Sequence, residues 1–259
     1  MIADLIPLLP FSQNALWGFF LVFLRIGSMV SFLPAFGEQT VPVRVRLGIT
    51  LAFCLIIFPA VSDRTTAAPD TLMSGLAIGG PEIATGLFFG LLLRFFVIAL
   101  QTAGAIAAQS TSLSQIFGGT AGADPQPAIG HVLVVAGLAL AAMMGLHVQF
   151  AAYMIQSYNL VPLGAVVESE TVSALGVAAV SRTFALGFTL AAPFVLASLI
   201  YNVTLGVINK AMPQLMVSFV GAPAITAGGL FLLLITAPFI LSIWVDTFMA
   251  FVMNPSGGF

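Results

Sequence analysis

Five charged side chains lie inside otherwise apolar segments of this sequence: Arg25, Glu82, Arg94, Arg182 and Asp246. Inside a bilayer each such charge costs at least about 2.5–3.5 kcal/mol, so it needs a partner or a function. Glu82 and Arg94 are twelve residues apart, which on one helix is about 120° around the axis and about 18 Å along it. They cannot pair with each other and must find partners elsewhere. The chemistry open to these charges is proton-coupled solute transport near the midplane of a membrane, or the commoner structural ion pairing.

The two histidines and a group of serines are the remaining residues with catalytic potential. His131 and His147 are sixteen residues apart, which on one predicted helix is about 160° and disfavours a shared metal site. An intramembrane hydrolase would need a serine, such as Ser110, Ser112 or Ser114, beside a histidine and an orienting acid. The sequence has no G-x-S-x-G motif, no Walker loop and no dinucleotide-binding glycine motif. We therefore predict no catalytic residue, no metal site and no cofactor.

The composition excludes a soluble globular protein. Of the 259 residues, 60% are hydrophobic and 6% are charged, whereas soluble domains carry about 25% charged residues. The surroundings of the folded chain must be membrane lipid, other apolar subunits, or both. The formal net charge is −2 and the basic residues are scattered singly, so no nucleic acid partner is expected. Cys54 is the single cysteine, which excludes an intrachain disulfide. Residues 1–17 contain Asp4 and no basic residue, so a cleaved signal peptide is not expected.

Six apolar segments must position these residues. They are too long for strands and are predicted as helices, so the fold class is an all-α integral membrane protein. Breaks at internal prolines would give six to eight helical pieces, and the third segment is expected to be interrupted at Gly79-Gly80-Pro81. Arg44 and Arg46 favour a cytoplasmic first loop. The predicted segments cover residues 15–36, 47–61, 72–108, 131–156, 172–207 and 224–253.

The stretch 101–130 differs from the rest because it is poor in bulky side chains. Its first half is predicted as a helix whose small residues, Ala103/Ala107 and Gly104/Ala108, let another helix approach closely. Its second half cannot be regular, since it contains Gly118, Gly119, Gly122, Pro125 and Pro127. Irregular backbone is not tolerated against lipid. The stretch is therefore either a loop in solvent or a segment that lines or blocks a water-filled space.

Motifs throughout the chain resemble the FliR family of flagellar biosynthetic proteins and its relatives in virulence type III secretion export gates. The most specific motif comprises Asn202, Gly206, Asn209, Lys210, Met212-Pro213-Gln214, Gly221 and Pro223. Earlier motifs occur in the same order along the chain: Leu24-Arg25-Ile26-Gly27, Phe32-Leu33-Pro34, Val41-Pro42 with Arg44 and Arg46, Phe58-Pro59, Glu82, Gly86, Gly90, Gln101, Ala103-Gly104 and Gln109. One departure, Met216-Val217-Ser218, leaves a virulence system as the alternative to a flagellar one.

The resemblance implies a non-enzymatic core subunit of a type III protein export gate. Such a subunit joins several P-type and Q-type subunits in a closed helical ring, with a B-type subunit near the cytoplasmic mouth. The expected location is the bacterial inner (plasma) membrane, in contact with lipid and within the flagellar basal body, and unfolded exported proteins would pass through the channel. The chain 1–259 would be one subunit domain: a P-like portion over 1–185, then a Q-like helical hairpin over 186–259, with tilted helices.

The resemblance also implies two groups of functional residues. The first is a channel plug at 110–127, in which one phenylalanine is the apolar stopper and glycines let the segment move: Ser110, Leu113, Gln115, Ile116, Phe117, Gly118, Gly119 and Gly122. The second is a set of residues for assembly and structure: Arg25, Pro34, Pro42, Arg46, Glu82, Arg94, Asn202, Gly206, Lys210, Pro213, Gln214 and Pro223.

Overall fold

A computed structural model describes residues 8–38, 40–64, 68–69, 71–111, 128–212 and 217–255, without the side chains of 8–12, 217–220 and 222. Within these ranges the chain forms helices and no strand. Seven α-helices are described, with a short 3₁₀ helix, Ser62–Arg64, after the second. Their bounds are α1 Leu8–Val30, α2 Val43–Val61, α3 Leu72–Ser110, α4 Ala128–Met143, α5 Leu146–Leu160, α6 Ser169–Ala211 and α7 Val217–Met253.

The helices are long and apolar enough to cross a membrane. Among the described residues, α1, α2, α3, α6 and α7 each contain a window of membrane-spanning length and hydropathy. The bent pair of α4 and α5 adds a sixth span if it is counted as one. The expectation of an all-α integral membrane protein with about six apolar segments is thereby confirmed.

The expected breaks at internal prolines were wrong. Helices run without interruption through Pro59, Pro81, Pro193 and Pro238, and Gly79-Gly80-Pro81 does not divide α3. Proline removes one backbone hydrogen bond. In apolar helices the carbonyl that loses its partner is satisfied by neighbouring groups or by a small change in helix geometry. The real break lies in the fourth segment, predicted as one helix, where Gly145 takes a left-handed backbone with φ of 81° between α4 and α5. Glycine adopts this conformation without steric cost.

Contacts between Cα atoms divide the chain into two compact units. The first unit comprises Met1–Phe95, Met144–Ala179 and Met249–Phe259. Aromatic side chains fill its interior: the Tyr153 ring lies 5.8 Å from the Phe89 ring and 6.1 Å from the Phe251 ring. The buried Tyr153 hydroxyl donates to the Phe89 carbonyl over 3.1 Å. This bond satisfies a phenol that has no access to water.

Helices α1 and α3 touch through their backbones in the first unit. A Cβ placed on Gly86 would lie 2.1 Å from the carbonyl oxygen of Arg25 and 2.0 Å from Ser28 Oγ. One turn later, a Cβ on Gly90 would lie 2.8 Å from the Met29 carbonyl oxygen. Glycines four residues apart are the usual means of bringing two apolar helices this close. Because the two backbones are this close, the Arg25 side chain is long enough to contact residues of α3.

The second unit comprises Phe96–Met143 and Val180–Phe248. Its core centres on Trp244, which is fully buried and stacks on Phe248 with ring centroids 5.0 Å apart. The indole Nε1 donates to the Phe96 carbonyl over 2.8 Å, which joins α7 to α3 by a bond as well as by packing. The division at residue 185 into a P-like portion and a Q-like hairpin stays a prediction.

Replacing Gly86 by alanine should destabilise the protein, because the new methyl would overlap the backbone of α1. Overpacking of this kind costs about 1–3 kcal/mol. Gly80→Ala on the same helix is the matched control, since a Cβ there meets nothing within 4 Å. The measurement is resistance to limited proteolysis of the protein in native membranes. Equal resistance of the two variants would contradict the close approach of α1 and α3.

Candidate functional site

The buried charges of the first unit form one ion pair. Arg25 on α1 and Glu82 on α3 are both fully buried. Arg25 Nε donates to Glu82 Oε2 over 2.7 Å and Nη2 donates to Oε1 over 2.9 Å. This bidentate geometry is the strong form of a charge-assisted hydrogen bond. Glu82 therefore finds its partner on another helix, as the spacing to Arg94 required.

The remaining donors of Arg25 reach the backbone at the end of α5. Nη1 donates to the carbonyls of Ser157 and Val161 over 3.3 and 2.9 Å, and Nη2 also donates to the Pro162 carbonyl over 3.4 Å. The guanidinium carbon lies 4.0 Å from the centre of the Tyr158 ring, a cation–π contact. All five N–H groups of the guanidinium are thus used.

The carboxylate of Glu82 is also fully engaged. Besides the two bonds from Arg25, its Oε1 accepts a hydrogen bond from the Gly164 backbone N–H over 2.7 Å. Gly164 has a φ of 75°, a conformation that glycine adopts without strain. A buried ion pair stabilises a protein only when such additional bonds compensate for lost water. We call Arg25, Glu82 and their backbone partners the buried lock, which joins α1, α3 and the turn after α5.

A second ion pair lies closer to the surface. Arg94 Nη1 contacts Glu38 Oε1, and both side chains are 26% exposed. Arg46 Nη2 donates to the Glu38 carbonyl over 3.0 Å, so Arg46 secures the backbone of the turn that carries this acid. Sequence reasoning missed Glu38 as the partner of Arg94. The signal was available, because Glu38 is the only acid between the first two apolar segments.

The other residues with catalytic potential lie on four different helices. Arg182 and Asp246 are exposed on α6 and α7. His131 and His147 lie on two different helices, so the geometry assumed for one helix was wrong, and both are exposed. No cluster of three or more metal-ligating side chains occurs in the part of the chain that the structure describes.

The stretch 101–130 is described on both of its flanks. The predicted close approach is confirmed, since a Cβ on Gly104 would lie 2.1 Å from the Gly130 Cα, and Ala103, Ala107 and Ala108 are buried. Ser110 is the half-buried last residue of α3. The other predicted plug residues lie at 112–127, outside the described residues: Leu113, Gln115, Ile116, Phe117, Gly118, Gly119 and Gly122.

The remaining motif residues lie at turns and surfaces. Pro34 is buried in the turn after α1, and Pro42 directly precedes α2. The most specific motif is exposed on α6, where Asn202, Gly206 and Lys210 all face outward. Pro213 and Gln214 lie outside the described residues, and Pro223 is exposed within α7.

The motif residues on α6 share the surface of the second unit with large apolar side chains. Exposed residues of this kind include Ile200, Val203 and Val207 on α6 and Phe231 and Leu234 on α7. Of the residues in the candidate membrane span of each helix, 17% are buried in α7 and 28% in α6, whereas 50% are buried in α3. An apolar surface this extensive must be covered by lipid or by other subunits.

The sequence matches the family described as bacterial export proteins, family 1, over residues 16–251. The chain belongs to this family. It is 34% identical over 231 residues to the flagellar biosynthetic protein FliR of Caulobacter vibrioides, which covers 88% of this chain and 91% of that protein. It is 25% identical to FliR of Escherichia coli over 86% of this chain and 85% of that protein. It is 26% identical to FliR of Aquifex aeolicus over 88% of each.

Membership of the bacterial export proteins confirms the resemblance seen in the motifs and decides among the earlier hypotheses. The secondary transporter would use Glu82 or Asp246 as its titrating group. Arg25 and Gly164 already occupy both carboxylate oxygens of Glu82, and Asp246 is exposed on α7. For the intramembrane hydrolase, His131 and His147 are exposed on separate helices, and Ser112 and Ser114 lie outside the described residues. In this bacterial export protein the buried charges have a structural role.

Removing one member of the buried lock should destabilise the protein strongly. Glu82→Gln leaves the Arg25 charge buried without a counter-charge, which costs about 3–5 kcal/mol. Arg94→Gln is the control and should cost about 0–1 kcal/mol, as expected for a partly exposed pair. The double variant Arg25→Met/Glu82→Leu should recover only part of the stability. It removes both charges at similar volume, but it takes these partners away from the Val161 carbonyl and the Gly164 N–H.

These three variants are compared by resistance to proteolysis in native membranes, as for Gly86. A double variant as unstable as Glu82→Gln would show that the lock contributes more than its charges. A stable Glu82→Gln protein would show that the pair is dispensable for the fold.

Proposed function

We propose that this chain is a core subunit of the gate through which the flagellar type III apparatus exports unfolded proteins. The observation that carries the proposal is membership of the bacterial export proteins over residues 16–251. The relatives named FliR come from several bacteria and support a flagellar rather than a virulence system. The gate acts as a conduit and performs no bond chemistry of its own.

In this proposal the apolar surface of α6 and α7 packs against P-type and Q-type subunits in a closed ring in the inner membrane. The buried charges support it, because Arg25 and Glu82 satisfy each other inside the chain and leave the outer surfaces for partners. Asn202, Gly206 and Lys210 are then assembly contacts, since they are exposed beside that surface. A B-type subunit near the cytoplasmic mouth and the basal body complete the assembly.

The segment 110–127 is proposed to close the channel. Small and polar residues tolerate a wet lumen, and irregular backbone is acceptable only where protein or water surrounds it. Phe117 supplies the apolar stopper, and Gly118, Gly119 and Gly122 give the segment freedom to move aside. The described flanks support the proposal, because α3 and α4, the helices before and after the segment, meet at Gly104 and Gly130.

Assembly should depend on Lys210. Co-expressed with P-type and Q-type partners, the chain should purify as one copy among several partner copies, as measured by native mass spectrometry. Lys210→Glu reverses an exposed charge at a proposed interface and should reduce the yield of this complex several-fold. Lys210→Arg keeps the charge and serves as the control. A stable, partner-free monomer in detergent would contradict the export-gate proposal.

Deleting residues 117–122 should leave the complex assembled and make it leaky. The deletion removes the stopper and its glycines but none of the described helices. The complex is reconstituted into vesicles that contain a self-quenched dye, and dye release is followed by fluorescence. Vesicles as tight as those with the unaltered complex would refute the plug.

A further inference from the structure

A pocket lies in the first unit, between α3, the start of α6 and the stretch that joins α5 to α6. Its volume is about 410 Å³, within the range of about 300–1,000 Å³ that is typical of small-ligand sites. On α3 it is lined by Phe89 and Leu92, which are 5% and 3% exposed. Leu175 on α6 and residues of the stretch 160–168 form its walls. Most of the lining side chains are apolar, and among the described residues that line it Glu168 alone is charged.

One wall of this pocket is fixed by the buried lock. Val161 and Pro162 line the pocket, and their carbonyls accept hydrogen bonds from Arg25 over 2.9 and 3.4 Å. Two residues later the Gly164 N–H donates to Glu82 over 2.7 Å. The wall therefore has a defined shape before any ligand binds, and a ligand that enters does not have to order it.

The rim of the pocket is the boundary between an apolar and a charged surface. Val166 lines the pocket and is 76% exposed. Glu168 and Glu170, at the start of α6, are exposed as well. A carboxylate is costly in the hydrocarbon of a bilayer, so these two acids belong at its edge or beyond it. Phospholipid headgroups lie at the same boundary, where an apolar protein surface gives way to a polar one.

The charge at the rim indicates which class of ligand fits the pocket. Within the described part of the chain the Glu168 carboxylate makes no ion pair. An apolar pocket with a carboxylate at its mouth complements a molecule that has an apolar chain and a cationic end. An anionic headgroup would instead be repelled by Glu168 and by the neighbouring Glu170.

We propose that this pocket binds one acyl chain of a membrane phospholipid whose headgroup carries an ammonium group, with Glu168 as the counter-charge. The headgroup lies at the rim, and the acyl chain lies against Phe89 and Leu92. Because Val161 and Pro162 belong both to this pocket and to the buried lock, the bound lipid also stabilises the stretch after α5. The proposal goes beyond the export-gate function and does not depend on it.

The test uses phosphatidylethanolamine with a photoreactive diazirine in one acyl chain. The full chain, with the partners that remain bound to it, is reconstituted into vesicles that contain this lipid, irradiated and digested, and the labelled peptides are identified by mass spectrometry. Labelling should concentrate on the peptides that contain Phe89, Val161 and Leu175. Phosphatidylglycerol with the same photoreactive chain should label them about two- to five-fold less, as expected for a charge pair at an exposed rim.

Three variants separate the acyl chain from the headgroup. Glu168→Gln should lower labelling by the ethanolamine lipid to the level of the glycerol lipid. Glu170→Gln is the matched control and should change nothing, because Glu170 lies in the same first turn of α6 but does not line the pocket. Ala165→Phe should abolish labelling by both lipids, because Ala165 lines the pocket and the ring fills it. Labelling of α2 and resistance to proteolysis report whether each variant is folded.

Two results would overturn the proposal. Unlabelled pocket peptides beside normal labelling elsewhere would show that the pocket is closed to lipid, for instance by a side chain of a partner subunit. Equal labelling by the two lipids, unaffected by Glu168→Gln, would show that the headgroup is not recognised. If Ala165→Phe does not fold, the comparison of the two lipids on the unaltered protein still decides. Neither result bears on the export gate, which co-purification with partner subunits tests.

Discussion

The bidentate bond between Arg25 and Glu82 is the constraint on which the first unit depends. Two charges with no access to water are tolerated only when their mutual attraction and further hydrogen bonds replace what hydration supplied. Both conditions are met, since the guanidinium uses all its donors and the carboxylate accepts from Gly164 as well. The positions of α1, α3 and the turn after α5 relative to one another are therefore fixed. A shift of any of them would leave a charge or a carbonyl without its partner.

The close contact of helix backbones makes that bond possible. Gly86 lies against the carbonyl of Arg25 itself, so the same turn of α1 supplies both the backbone contact and the charge. In the second unit Gly104 brings α3 against Gly130 of α4 in the same way. The protein thus joins its helices through backbone contacts at glycines as well as through buried aromatic side chains, and many of its other large apolar side chains are exposed. Such a chain is suited to be one piece of a larger assembly.

Much of the fold follows from the sequence, because long apolar runs have one structural solution in a membrane. The arithmetic of helical spacing also showed that Glu82 and Arg94 need separate partners. The pairing of Glu82 with Arg25 could not be derived, since the two meet only through tertiary packing. Glu38 could have been proposed for Arg94, because it is the only acid between the first two apolar segments. The prediction that proline ends a helix was wrong at Pro81 and Pro193, because the surrounding structure overrides this preference. The break at Gly145 was missed, because nothing in the neighbouring sequence distinguishes it from the other 24 of the 25 glycines. Of the candidate site, the need for ion pairs was predictable, whereas the contribution of the Gly164 N–H was visible only in the structure.

The composition of the buried lock has a consequence for how the protein is made. Its arginine belongs to the first apolar helix, its glutamate is 57 residues later, and the glycine that completes it is a further 82 residues along the chain. During synthesis α1 therefore reaches the membrane with a charge that has no counterpart until α3 has emerged from the ribosome. The hydrogen bonds that hold α1 in its final position are complete only after α5 and the turn that follows it have been synthesised. Until then the Arg25 charge must stay in contact with water or with the insertion machinery. The chain is therefore least stable in the membrane early in its synthesis.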